Sequence, residues 1–280
     1  MAFSFGNLTG SGSIAVMGII NLSPDSFYSR SRLSGTSEVF CTAEKMIREG
    51  AHILDVGAES TRPGSRGISV KLELERLRPV ITKLTKEFNV PISVDTYKPD
   101  VASVVLQEGA TVINDISALG AVDKMANVVS KHKAGIVLMH MKGTPEVMQN
   151  NPYYKDVCME VLDFLSQRVS LAEKAGIDPK SIAVDPGIGF GKSLTHNIDL
   201  IAKLSQLKIL GKQILLGVSR KSFVGEVLNL EPAERLEGSI AAGIVGIING
   251  ANILRVHDVG PTVRAVRIAQ TLMKAGQKND

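Results

Sequence analysis

The chain is poor in the residues that mark several protein classes. It has no tryptophan, four tyrosines and eight phenylalanines in 280 residues, whereas proteins that stack many nucleobases usually carry more aromatic rings. Its two cysteines, Cys41 and Cys158, are too few for a disulfide framework or a cysteine-rich zinc site. These shortages argue against a nucleobase-stacking protein and against a disulfide-stabilised secreted domain.

Long apolar runs and blocks of like charge are also missing. The apolar segment 14–20 is too short to span a bilayer, and the N-terminus has no basic stretch followed by a long apolar one. Lysine and arginine outnumber aspartate and glutamate by 32 to 28, but they form no block of five or more. We therefore expect no membrane partner, no nucleic-acid partner and a cytoplasmic location. The mild basic excess suits small anionic substrates.

Eight β-branched runs divide the sequence, starting about 34 residues apart on average, as repeated strand–helix units do. They cover residues 15–20, 52–56, 91–95, 111–115, 135–140, 181–185, 213–218 and 252–257. Helical patterns fill the intervals at 37–50, 70–88, 99–109, 122–133, 154–175, 194–210, 232–249 and 261–275. Apolar strands alternating with amphipathic helices indicate a parallel sheet covered by helices. We predict an α/β fold, a (β/α)8 TIM barrel in a single domain over residues 1–280. An open doubly wound sheet is the alternative, although six strands would fit it better than eight.

Polar side chains close almost every one of these runs. Barrels of this kind hold their active sites at the C-terminal ends of their strands, so the pattern predicts a polar pocket at one rim. The residues concerned are Asn21, Asp55 with Glu59, Asp95, Asn114, His140, Asp185, Ser219 to Lys221, Arg255 and His257.

Basic residues near the last two strands indicate an anion site. Arg255 and His257 are two positions apart on a predicted strand, so both face the same side. The alternative for Arg255 is a structural pair with a carboxylate at the rim. Lys221 follows the seventh strand, where barrels often bind anions, and points either into the pocket or into solvent.

Three short polar side chains could recognise a flat, nitrogen-rich ring. Asp95, Asn114 and Asp185 end three different strands, and a carboxylate accepts two N–H bonds from an amidine-like edge. The alternative for each is a helix N-cap. The glycine-rich stretch at 185–193 matches neither nucleotide-binding motif. A Walker A loop would need glycine at position 186, which is Pro186, and a dinucleotide-binding loop would need glycine at position 192, which is Lys192.

Two long segments, 21–37 and 57–70, follow the first two strands and are rich in serine, glycine, arginine and proline. Loops of this length are usually functional or disordered, so we predict mobile lids, with surface disorder as the alternative. Arg62, beside Pro63 and Gly64, suits a lid that binds an anion.

The chain resembles the dihydropteroate synthase family of pterin-binding, folate-pathway enzymes from about residue 14 to residue 275. The ordered matching stretches are MGIINLSPDSF, ILDVGAESTRPGS, ISVDTYKPDVA, INDISA, LMHMKGTPEVMQNNPYY, DPGIGFGKSLTHN, SRKSFVG and RVHDV. The resemblance implies a homodimeric (β/α)8 enzyme that is the target of sulfonamides. It implies that 6-hydroxymethyl-7,8-dihydropterin pyrophosphate and p-aminobenzoate are joined, with Mg2+, by dissociative substitution.

The resemblance also implies residue roles. The pterin would be bound by Asp95, Asn114, Asp185, Lys221 and Arg255. The pyrophosphate would be bound by Asn21, Arg62, Arg255 and His257, with Asn21 as the protein ligand of Mg2+. The p-aminobenzoate would be bound by Phe27, Thr61, Pro63, Lys221 and Ser222. The catalytic groups would be Asp95, Arg62, Lys221, Arg255 and His257.

One departure from the family lies in the first lid. Ser29 stands where the family has an aspartate, and Arg30 and Ser31 stand where it has two glycines. This departure favours one alternative, a catalytically silent paralogue that only binds pterin. A pterin-dependent methyltransferase on the same barrel is the other alternative, but it would need no pyrophosphate site.

Overall fold

Eight parallel strands hydrogen-bond in chain order and close into a barrel, which confirms the predicted (β/α)8 fold. The structure is a computed structural model, and it describes residues 2–22, 36–61, 64–120 and 122–276. The strands are β1 Ala15–Asn21, β2 Ile53–Gly57, β3 Ile92–Asp95, β4 Val112–Asp115, β5 Gly135–Met139, β6 Ile182–Asp185, β7 Gln213–Leu216 and β8 Ile253–Val256. β1 pairs with both β2 and β8, so the described sheet leaves no open edge.

Apart from the first, which precedes β1, the helices follow these strands and cover the outside of the barrel. They are α1 Gly6–Thr9, α2 Thr36–Arg48, α3 Val70–Glu87, α4 Pro99–Gln107, α5 Val122–His132, α6 Val157–Lys174, α7 Leu194–Ala202, α8 Ser222–Leu228, α9 Leu236–Ile248 and α10 Val259–Gly276. Their starts follow local chemistry: Ser69 accepts a hydrogen bond from the backbone N–H of Leu72 at the start of α3, and Asp156 caps α6. No described helix is long and apolar enough to cross a membrane.

Three predicted helices differ clearly from the observed ones. The stretch predicted as one helix over 232–249 is a 3-10 helix, Pro232–Glu234, followed by α9. The stretch predicted as one helix over 194–210 is α7 followed by a 3-10 helix, Leu204–Leu210. A 3-10 turn brings residues three apart onto one side, and Leu204 and Leu207 are both buried there. The helix predicted from residue 154 begins at Val157 because Asp156 provides its cap.

The core has two parts, separated by the wall of strands. The larger lies between strands and helices, and the smaller fills the barrel interior. Phe5, from the N-terminal segment, is fully buried against the interior residues. The N–H groups of Phe3 and Phe5 donate to the carbonyl oxygens of Lys133 and Lys180 at 3.0 and 3.1 Å. The N-terminal segment therefore closes the barrel at the end where the strands begin.

Candidate active site

The strands carry polar residues two positions beyond the inner apolar layer. Side chains alternate between the two faces of a strand, so a residue two positions further along faces the same interior, one layer higher. The inner residues Ile53, Val112, Ala183 and Ile253 are followed in this way by Asp55, Asn114, Asp185 and Arg255. The barrel mouth, at the C-terminal ends of the strands, thus holds a polar layer above an apolar floor.

Arg255 lies at the centre of this polar layer. Its Nε donates to Asp55 Oδ2 at 2.6 Å, and its Nη2 donates to Asp95 Oδ2 at 2.8 Å. Burial opposes the charged form, but Asp55 and Asp95 outweigh it and raise the pKa of Arg255. The structural pairing considered for Arg255 is therefore real, with two carboxylates rather than one, and it fixes the plane of the guanidinium.

Three oxygen atoms around this pair are buried acceptors. Asp55 Oδ1, Asp95 Oδ1 and Asn114 Oδ1 have no hydrogen-bond partner among the residues that the structure describes. Asn114 Nδ2 donates to Asp55 Oδ2 at 3.1 Å, which leaves its carbonyl oxygen as the group to be satisfied. A buried acceptor without a donor costs about 1–3 kcal/mol, so the arrangement suits a ligand that presents several N–H groups.

The protonation state of Asp95 depends on the same surroundings. Burial raises the pKa of Asp95 to about 7, against the opposing effect of Arg255. Its side chain is 11% exposed and lies beside the Arg255 guanidinium. The carboxyl can therefore change its charge in response to a bound ligand near neutral pH.

Lys221 points into the mouth rather than into solvent. Its Nζ donates to the carbonyl oxygen of Ile188 and lies 4.7 Å from the centroid of the Phe190 ring. Burial lowers the pKa of Lys221 to about 8, and Asp185 opposes that shift. Asp185 accepts from the N–H of Gly187 at 2.7 Å, so an acid and a base occupy the same side of the mouth.

The two loops that follow β7 and β8 meet at His257. Ser219 Oγ lies 3.0 Å from His257 Nδ1 and accepts from the His257 backbone N–H at 3.2 Å. Burial, together with Arg255, lowers the pKa of His257 to about 4. The ring is therefore neutral at pH 7 in the free protein.

Some of the remaining predicted site residues lie within the part of the chain that the structure describes, and others lie outside it. Asn21, at the end of β1, and Thr61 are half-buried, whereas Ser222, the first residue of α8, is exposed. Phe27, Arg62 and Pro63 lie outside the described residues, as do the substituted positions 29–31 and most of the first predicted lid.

The described residues of the mouth offer few side chains that could ligate a metal ion. The described ranges contain no group of three or more histidine, cysteine, aspartate or glutamate side chains that could hold an ion. The amide oxygen of Asn21 is a hard donor at the strand end. One such oxygen fits Mg2+, which keeps several waters and relies on substrate phosphates. It would not fit a structural zinc ion, which needs four protein ligands.

Sequence reasoning missed two roles near the mouth. It gave Asp55 no ligand role, although Asp55 lies on β2 two positions after an inner residue, as Asn114 does on β4. It gave Glu59 none either, although Glu59 Oε1 accepts from Tyr97 Oη at 2.7 Å and Oε2 accepts from the Ile68 N–H at 2.9 Å. Glu59 thus joins the beginning and the end of the segment 57–70, a contact that no motif spacing reveals.

A buried basic pair was missed as well. Lys192 Nζ lies 2.9 Å from His140 Nδ1 and donates to the carbonyl oxygen of Phe190 at 3.0 Å. Burial lowers the pKa of Lys192 well below its ordinary value. The pair anchors the glycine-rich loop after β6 to the end of β5, which explains why that stretch carries a lysine without being a nucleotide loop.

Known proteins resemble this chain over almost its whole length. The family model described as pterin binding enzyme matches residues 17–257. The dihydropteroate synthase of Synechocystis is 43% identical over 260 residues, which is 92% of this chain and 90% of the relative. A Yersinia pestis dihydropteroate synthase, solved in complex with a sulfonamide drug, is 39% identical with a TM-score of 0.91, covering 94% of this chain and 95% of that one. A Xanthomonas albilineans dihydropteroate synthase, solved with 4-aminobenzoic acid, is 40% identical with a TM-score of 0.86, covering 95% and 97%.

Proposed function

The chain belongs to the pterin-binding enzymes, and within them to the dihydropteroate synthases, and from this premise we propose which of its residues carry out the reaction. Enzymes of this family are transferases of folate biosynthesis. They join 6-hydroxymethyl-7,8-dihydropterin pyrophosphate to p-aminobenzoate and release 7,8-dihydropteroate and pyrophosphate. The observation that carries the assignment is the cluster of buried, unsatisfied acceptors at Asp55, Asp95 and Asn114.

The pterin occupies the polar layer of the mouth in this proposal. Its ring N–H and amino groups donate to Asp95, Asn114 and Asp185. At Asp95 and Asn114 these bonds satisfy buried oxygens that otherwise lack a donor among the described residues. Lys221 donates to an acceptor atom of the ring. The guanidinium of Arg255 stacks on the ring face, because Asp55 and Asp95 already hold its plane.

The pyrophosphate lies between the ends of β1 and β8, where Asn21, Arg255 and His257 surround it and Arg62 joins them. Asn21 would hold Mg2+, which supplies positive charge to the leaving oxygen atoms when bound. His257 enters neutral and donates one N–H, while Arg255 contributes a fixed positive charge. Together these groups stabilise the negative charge that develops on the leaving group.

The substitution is dissociative in this scheme. The bond between the pterin methylene carbon and the pyrophosphate oxygen breaks first, and pyrophosphate takes the electron pair. The carbon that remains is a cation conjugated with the pterin, and the ionised Asp95 carboxylate beside it stabilises that charge. The neutral amine of p-aminobenzoate then attacks the carbon and loses a proton. No covalent bond to the protein forms at any step.

The p-aminobenzoate enters on the side of the two long segments. Lys221 and the Ser222 hydroxyl bind its carboxylate, and Phe27, Thr61 and Pro63 line the pocket for its ring. Sulfonamides mimic p-aminobenzoate in shape and charge, and the Yersinia pestis relative was solved with such a drug. We infer that they compete for the same pocket in this chain.

Two copies of the chain form a homodimer through α9 and α10 in this proposal. The two helices pack side by side. They leave five apolar side chains exposed, namely Val245, Ile248, Ile268, Leu272 and Met273. A second copy would remove this apolar surface from water. The cytoplasm is the proposed location, since a reducing compartment keeps the free thiols Cys41 and Cys158 unpaired.

A coupled assay tests the function directly. Purified protein is supplied with dihydropterin pyrophosphate, p-aminobenzoate and Mg2+, and both pyrophosphate release and 7,8-dihydropteroate formation are measured. We expect equal amounts of the two products. Pterin binding without either product would identify a catalytically silent paralogue, and methyl transfer to or from a pterin would identify the methyltransferase alternative.

Calorimetry tests the order of binding. The p-aminobenzoate is titrated into the free protein and into protein saturated with inorganic pyrophosphate and Mg2+. We expect weak binding in the first case and clear binding in the second, because the pyrophosphate completes the pocket. Tight binding without pyrophosphate would reject ordered binding.

A further inference from the structure

One buried ion pair joins the loop after β7 to the loop after β8. Arg220 is 4% exposed, and its guanidinium forms a fork with the Asp258 carboxylate. Nε donates to Oδ2 at 2.8 Å and Nη2 donates to Oδ1 at 3.0 Å. Arg220 directly precedes Lys221, and Asp258 directly follows His257. The pair therefore spans two loops that each carry a residue of the proposed substrate site.

The same arginine is held by several further contacts. Its Nη1 donates to the carbonyl oxygens of Pro232 and Ala233 at 2.7 and 2.8 Å, just before α9 begins. Its backbone N–H donates to Ser239 Oγ at 2.8 Å. Arg235 Nη1 donates to the carbonyl oxygen of Arg220 at 3.3 Å, so the backbone of this residue is held as well as its side chain. A buried guanidinium with this many partners has a fixed position and is not available to a substrate.

The backbone at Arg220 also needs this support. Its φ is +56°, in the left-handed region that side chains other than glycine rarely adopt. Such conformations are strained and persist only where the surroundings enforce them. The reversal at Arg220 turns the chain so that Lys221 reaches the mouth, where its Nζ donates to the Ile188 carbonyl oxygen.

We propose that Arg220 is a positioning residue for the transferase reaction. Its ion pair with Asp258 keeps Lys221 and Ser222, which follow β7, in register with Arg255 and His257, at the end of β8. This inference rests on the substrate roles proposed above for those four residues. Arg220 itself touches no substrate; it acts by holding the groups that do.

Kinetics of Arg220→Lys and Asp258→Asn test the inference. Lysine keeps the charge but cannot form the fork, and asparagine keeps the shape but removes the charge. We expect the KM of each substrate to rise at least tenfold in both variants, with a smaller fall in kcat per folded protein. KM does not depend on how much of the protein is folded, so a merely structural role would lower the thermal midpoint and leave both KM values unchanged.

A matched control and a double variant sharpen the result. Arg78 pairs with Glu108 at 2.8 Å, but its side chain is 64% exposed and lies on α3, away from the mouth. Arg78→Lys should leave both KM values unaltered. The double variant Arg220→Lys/Asp258→Asn should raise KM no further than the worse single variant, because both changes break the same contact. Additive increases would overturn the proposal.

Binding of inorganic pyrophosphate separates this inference from the proposed function. Calorimetry in the presence of Mg2+ measures affinity without turnover, on protein shown to be folded by circular dichroism. We expect at least tenfold weaker binding in Asp258→Asn, and in Arg220→Lys where it folds. Unchanged pyrophosphate affinity in a folded Asp258→Asn protein would overturn the positioning role. An inactive wild-type protein would instead refute the proposed function, whereas the pyrophosphate affinities of wild type and variants could still be compared.

Discussion

Replacing Arg255 by alanine probes the centre of the mouth. The substitution removes the guanidinium that donates to Asp55 and Asp95 at 2.6 and 2.8 Å, and leaves two buried carboxyl groups without their cation. Breaking a buried ion pair by removing one partner costs about 3–5 kcal/mol. We expect a loss of that size in the free energy of unfolding at pH 6.

The pH dependence of that loss follows from Asp95. Its pKa in the folded wild-type protein is about 7, above the ordinary value of 3.8, so its contribution to stability is present at low pH and is lost as pH rises through 7. Arg255 opposes this rise in pKa, so its removal must raise the pKa of Asp95 further. At pH 6 both folded proteins hold the proton on Asp95, so the titration of Asp95 adds nothing to the difference between them there. Above pH 7 only the variant holds it, and the difference grows by about 1.4 kcal/mol per pH unit.

Urea unfolding followed by far-ultraviolet circular dichroism, at pH 6, 7, 8 and 9, measures the effect. Arg78→Ala is the control, since it breaks a surface pair with Glu108 that solvent screens, and it should change the free energy of unfolding little at any pH. A difference between wild type and Arg255→Ala that stays flat from pH 6 to 9 would show that Asp95 does not govern the charge balance of the mouth.

Three further outcomes are expected. Phe5→Ala should lower the free energy of unfolding by about 3–5 kcal/mol, since Phe5 is fully buried, while both KM values stay unchanged; an altered KM would contradict the separation of floor and mouth. Pyrophosphate binding at pH 6 should take up more protons in the wild type than in His257→Asn, because His257 is neutral with a pKa of about 4 and a nearby anion raises it; calorimetry in buffers of different ionisation enthalpy measures the difference, and equal values would contradict this role of His257. Chelation of Mg2+ by EDTA should suppress pyrophosphate release and added Mg2+ should restore it; a rate indifferent to EDTA would remove the metal from the reaction.

The barrel could be predicted from the sequence because its signals are local and repeated. Each β-branched run is followed by a helical pattern, and this alternation leaves few architectures that bury both faces of the strands. The polar layer was predictable for the same reason, since Asp95, Asn114 and Asp185 stand at strand ends. The carboxyl ends of the strands of a parallel barrel all lie at the same end, so these residues were expected at one rim.

What escaped prediction depends on contacts across the barrel or on single backbone angles. A pair with a rim carboxylate was an alternative for Arg255, but its partners Asp55 and Asp95 could not be named, because only closure of the sheet brings β8 near β2 and β3. Arg220 and Lys221 are adjacent and both basic, yet the left-handed φ at Arg220 buries one in the scaffold and sends the other into the mouth. The N-terminal segment gave no periodic signal, because one buried phenylalanine and a four-residue helix suffice to fill the barrel end.

The stacking of a polar layer on an apolar one has a consequence for engineering. Along β4 and β6, the apolar residue of the barrel interior and the polar residue proposed to meet the ligand are different residues, two positions apart. Ligand preference can thus be retuned at the upper positions while the lower ones continue to hold the cylinder closed. A library built on Asn114 and Asp185 would sample new heterocycles without changing the hydrophobic base beneath them.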